Sequence, residues 1–110
     1  MKVVWVSRHE LNEKNMNILK KAFGDGVEVI QYSDTVKDVR DLVEFAVVNN
    51  ADAFVVVLPP HLIQQLLSVT KLPICRFVVE REVREDGEVE FTPIGLERIV
   101  RIVVETERIV

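Results

Sequence analysis

The sequence predicts an α/β domain whose mainly parallel sheet has the strand order 2-1-3-4 and ends in an antiparallel β extension. Three observations carry this. The run Ala53-Phe54-Val55-Val56-Val57-Leu58 is apolar and β-branched without polar alternation, as expected of a strand covered on both faces, and it stops abruptly at Pro59-Pro60-His61. A similar run, Lys2-Val3-Val4-Trp5-Val6-Ser7, starts almost at the first residue. Between these runs lie stretches with helical spacing, so strand and helix alternate as right-handed β-α-β crossovers require.

After the first strand, Arg8-His9-Glu10 forms a polar loop. Asn12 suits an N-cap, and from Leu11 the residues Ile18, Leu19, Ala22 and Phe23 recur at helical spacing until Gly24-Asp25-Gly26. Val27 to Tyr32 reads as an outer strand with one better-covered face, closed by Ser33-Asp34-Thr35. Thr35 with Asp38 resembles a capping box. Val36, Val39, Leu42, Val43, Ala46 and Val47 then form one stripe that ends at Asn49-Asn50.

Beyond the central strand, Pro60 fits a helix's first turn, and Leu62, Ile63, Leu66 and Leu67 give a buried face about two turns long. Leu72-Pro73-Ile74 opens a fourth strand through Cys75, Phe77 and Val79. Arg84-Glu85-Asp86-Gly87 turns it back as a hairpin from Glu88 to Phe91, and Pro93 and Gly95 break the chain again. Arg98 to Val110 fits either a helix stripe or a strand, and its β-branched density favours strand.

A chain of 110 residues is expected to form one domain, residues 1 to 110, and 48% hydrophobic with 29% charged residues suits a compact globule. The net charge of -4 argues against binding long duplex nucleic acid, which relies on clustered Lys and Arg releasing counterions from phosphates. Cys75 is the single cysteine, which leaves no internal disulfide or thiolate cluster and suits a reducing cytoplasm. Neither a leader nor an apolar run of membrane-spanning length is visible, so the expected location is cytoplasmic, away from membranes.

In a doubly wound sheet of this order, helices leave the first and third strands toward opposite faces, opening a crevice between the loops that follow them. Ser7-Arg8-His9-Glu10 and Pro59-Pro60-His61 are those loops, so both histidines are expected at one edge. Ser33, Asp34 and Thr35 would flank them, and Arg76 could reach in from the fourth strand. Arg8 and Arg76 suit a phosphate, and a histidine near neutral pKa can move a proton. Such a set is compatible with metal-free phosphodiester cleavage and equally with plain anion binding. Each residue also has a bland reading. His9 can bond a loop carbonyl, His61 can be a surface residue, and Arg76 can pair with an acid of the same sheet. A metal site of His9, His61 and Glu10 has no motif spacing behind it, and no cofactor is expected. The chain lacks Gly-x-Gly-x-x-Gly, a P-loop and a Gly-x-Ser-x-Gly elbow, which removes support for a dinucleotide oxidoreductase, an NTPase or an α/β-hydrolase.

Ser7-Arg8-His9-Glu10-Leu11, Leu58-Pro59-Pro60-His61-Leu62 and Leu72-Pro73-Ile74-Cys75-Arg76 resemble, in type and placement, the small CRISPR-associated proteins with a Rossmann-like fold. The chain departs from their pattern in Arg8, which stands between the Ser and the His, and in His61, where a small residue is expected. The resemblance implies a homodimer that binds a cyclic oligoadenylate second messenger across its two-fold axis and degrades or sequesters it. It further implies that Arg8 and Arg76 hold phosphates, that Ser7 and Ser33 donate to them, and that His9 acts as base, with Asp34, Thr35, Pro59 and His61 lining the site and no metal required. Two other classes stay open. One is a non-catalytic interaction module that pairs through the apolar stretch Ile99 to Val104; the other is a hydrolase of another small phosphoester.

Overall fold

The parallel part of the sheet begins with three short strands, β1 (Lys2–Val6), β2 (Glu28–Tyr32) and β3 (Ala53–Val56). A computed structural model describes residues 1–103 and 105–110. Between these strands run helices α1 (Glu13–Phe23) and α2 (Val39–Val48), followed by α3 (Pro60–Val69) and the antiparallel pair β4 (Ile74–Val83) and β5 (Val89–Arg98). The five-stranded sheet has the order β2-β1-β3-β4-β5, with β4 parallel to β3 and only β5 antiparallel. The Rossmann-like order expected from the sequence is therefore present, with β3 at the centre.

Strand periodicity divides the core into two layers. On one face Val4, Val6, Phe54, Val56 and Ile74 pack under Val39, Leu42 and Ala46 of α2 and Ile63 and Leu66 of α3. On the other, Val3, Trp5, Ala53, Val55 and Cys75 pack under Leu19 of α1. The helices after β1 and β3 thus lie on opposite faces, the condition for a crevice between the two loops.

Helix ends follow local chemistry. Asn12 caps α1 through a reciprocal box with Asn15, and Gly24 at φ 99° stops the helix while its N–H bonds Lys20 O at 2.8 Å. Pro60 occupies the first position of α3, which at ten residues is longer than its apolar face suggested. α2 differs from expectation: Asp38, not Thr35, is its N-cap, and its carboxylate accepts from Arg40 N at 3.0 Å.

The C-terminal third differs more. The hairpin turns where expected, with Gly87 at φ 85° and its N–H bonded to Arg84 O at 2.9 Å. Pro93 and Gly95 do not end the return strand, because β5 is an edge strand and can accept a residue without an N–H. The ladder shifts register between Val78 and Val79, opposite Pro93 to Gly95. Arg98 is the last residue of β5, and the described residues beyond it form no strand. Ile99 N makes one bond to Ile74 O at 2.7 Å, after which residues 99–103 and 105–110 have no regular structure. The branched apolar residues of this stretch pack side chains instead, with Ile99 buried and Ile102 against the α2–α3 layer. The edge pairing expected of Ile99 to Val104 therefore has no strand behind it, and Val104 itself lies outside the described residues.

Candidate functional site

β1 ends at Val6 and β3 at Val56, whereas β4 continues to Val83. The sheet therefore has a notch at the C-terminal ends of its central strands, walled by the β4–β5 hairpin on one side and the loop after β1 on the other. Val57 N still reaches Val6 O at 3.4 Å, holding the two loops side by side as the chains leave the sheet.

The loop after β1 is fixed by three side chains. Trp5 Nε1 donates to His9 O at 2.7 Å, and Gln31 Nε2 of β2 donates to Ser7 O at 2.8 Å and His9 O at 3.1 Å. Ser7 Oγ accepts from His9 N at 3.1 Å, which leaves its own O–H free to donate. With its carbonyl held from two directions, His9 keeps its imidazole for other work; it makes no hydrogen bond among the described residues. Arg8 leaves this loop toward β2 and donates through Nη2 to Thr35 Oγ1.

Two clefts meet at this loop. The first, of about 410 Å³, lies between α1 and the hairpin and is lined by Trp5, Phe77, Phe91, Arg76, Asn12 and Asn15 among others. The second, of about 330 Å³, opens toward β2 and is lined by Arg8, Asp34, Thr35 and Val36. Ser7, His9, Val57 and Leu58 line both. Each volume falls within or near the range of roughly 300–1,000 Å³ common for small-molecule sites.

Of the residues that the sequence singled out, Ser7, Arg8, His9, Asp34, Thr35 and Arg76 come together here. Ser33, Pro59 and His61 line neither cleft, and His61 is exposed in the first turn of α3. The two histidines thus take different positions: His9 lies between the clefts and His61 outside both. Arg76 has the acidic partner its place in a strand demanded. Its Nε lies 2.5 Å from Glu97 Oε1 on the paired β5, and both side chains are about half exposed, at 53% and 46%. Its guanidinium is therefore shared between that carboxylate and the first cleft. Among the described residues no group of three or more His, Cys, Asp or Glu side chains is placed to hold a metal ion, and no helix is long and apolar enough to cross a membrane.

Gln31 and the aromatic wall were not singled out from sequence. A polar residue inside the apolar Val27–Tyr32 run was the one available signal for Gln31. Phe77 and Phe91 carry no local signal of a site, because their place on the wall depends on β4 and β5 extending past the end of β3 at Val56. Trp5 and Phe77 meet edge to face with centroids 5.6 Å apart, so the first cleft has a rigid aromatic floor. Compared with known proteins, the chain matches no family model, no curated protein and no solved structure.

Proposed function

We propose that this chain binds a cyclic oligoadenylate at the crevice between the loops after β1 and β3, and that His9 serves there as a metal-independent base. The observation that supports the reading most is the convergence of Ser7, Arg8 and His9 with Asp34 and Thr35 around one crevice at the switch point of the sheet. An anionic ligand suits Arg8, whose guanidinium has only a neutral hydroxyl as side-chain partner among the described residues. A histidine at the boundary of two clefts suits a ligand that spans them. In the reaction His9 takes the proton of a ribose 2′-hydroxyl, and that oxygen attacks the adjacent phosphorus. The bond to the 5′-oxygen breaks, the leaving oxygen takes a proton, and a linear product with a 2′,3′-cyclic phosphate remains. A homodimer in the cytoplasm suits this reading, since two copies can offer the same loops to a ring of repeated nucleotides.

The test is incubation of purified protein with cyclic tetra- and hexa-adenylate in the presence of EDTA, followed by chromatography and mass measurement. The expected result is a linear product with a 2′,3′-cyclic phosphate, unaffected by EDTA and lost in His9→Ala. Binding without cleavage would make the protein a sequestering one, and absence of binding would overturn the reading.

A second reading draws on the hairpin. Val79, Val83, Val89, Phe91 and Ile94 are all exposed on it, and an apolar arm of this kind suits an interaction module. His9→Ala separates the two, because it abolishes turnover in the first reading and changes no association in the second.

A further inference from the structure

We infer that the cleft between α1 and the β4–β5 hairpin is a nucleobase subsite, taking the base of a nucleotide whose phosphate lies across the Ser7–His9 loop at Arg8. The inference rests on the nucleotide reading of the site and divides it into parts. The two clefts differ in chemistry while sharing one wall. The hairpin cleft has an aromatic surface of Trp5, Phe77 and Phe91, whereas the β2 cleft has Arg8, Asp34 and Thr35. An aromatic surface suits a π-face and an arginine suits a phosphate, so a ligand carrying both matches the pair of clefts.

Polar groups at the rim of the aromatic cleft fit the edge of a base. The capping box of α1 uses both asparagine carbonyls: Asn12 Oδ1 accepts from Asn15 N at 2.8 Å and Asn15 Oδ1 accepts from Asn12 N at 3.3 Å. Their Nδ2 amides make no bond among the described residues and remain as donors beside the cleft. Glu10, on the same wall, supplies an acceptor. Ring nitrogens that accept and exocyclic or ring N–H groups that donate are what a nucleobase presents. Phe91 is placed by the hairpin's overhang, 64% exposed and free of the core, which suits a residue kept for stacking.

The chain's one tryptophan lies on this wall and supplies the readout. Adenosine 5′-monophosphate is titrated against Trp5 fluorescence, with ribose 5-phosphate as the control without a base. The expected result is quenching by adenosine monophosphate and none by ribose 5-phosphate. Phe91→Ala, which removes no core contact, should weaken adenosine monophosphate binding about tenfold, while leaving weak, salt-sensitive binding of ribose 5-phosphate, read by titration calorimetry, unchanged. Arg8→Ala should weaken both ligands. Equal behaviour of wild type and Phe91→Ala, or quenching by ribose 5-phosphate alone, would overturn the subsite. The two proposals fail separately. Phe91-dependent quenching by adenosine monophosphate without any binding of the cyclic oligoadenylates keeps the subsite and removes the ring; ring cleavage insensitive to Phe91→Ala does the reverse.

Discussion

Gln31 shows how an exposed side chain can order a site without entering it. Its amide nitrogen joins two carbonyls of the neighbouring loop, and Trp5 joins one of them from the core side, so the backbone of 7–9 is held from both directions. Thr35 has a similar double identity. Its hydroxyl and spacing resemble a helix cap, but the hydroxyl accepts from Arg8, and Asp38 takes the cap. Sequence pattern could not separate these roles, because either residue can cap a helix and only the position of Arg8 decides between them. Cys75 is simpler: it is buried in the α1 layer, as a lone core cysteine is expected to be. Burial pushes its thiol above the ordinary 9.0, with nearby Arg98 pulling the other way. Because the folded value is raised, its contribution to stability is complete below 9.0 and is lost as pH rises through the folded value. The urea midpoint should therefore fall at alkaline pH, with a smaller fall in Cys75→Ala. An identical fall in both proteins would contradict this.

At the scale of elements, α2 offers a direct test of its cap. Asp38 accepts from Arg40 N and pairs with the Arg40 guanidinium at 2.7 Å, and these contacts hold its carboxyl below the usual range. Asp38→Ala should lower the urea unfolding midpoint, as N-cap losses generally do. Thr35→Ala should lower it less, because it caps nothing. The strands and helices of the first 70 residues were legible because each carries its own punctuation: β-branched runs, Asn12, Gly24 and Pro60. The return strand was harder to read. Pro93 and Gly95 are breakers in isolation, and only an edge position with a shifted register tolerates them in β5. The tail after Arg98 misled for the opposite reason. Its branched residues look like a strand, but Ile99 and Ile102 use their side chains to cover the α2–α3 layer, a tertiary demand with no local signature.

Over the whole molecule, the connection between fold and site is topological. The order β2-β1-β3-β4-β5 sends α1 to one face and α3 to the other, and brings together loops that are far apart in the sequence. That convergence could be read from the strand order alone. The second wall could not, because it depends on β4 running past the end of β3 by several residues, each extending the hairpin by roughly 3.3 Å. The net charge of -4 argues against counterion-driven binding of a long nucleic acid.

The most direct test of the account is to map backbone amide shifts by NMR while cyclic tetra-adenylate is added to the protein. The account predicts changes concentrated at residues 7–10, at Gln31 to Thr35, at Val57 and Leu58, and along Phe77 and Phe91. Changes confined to the outer face of α2 or to the C-terminal tail, with the loops after β1 and β3 unmoved, would contradict it.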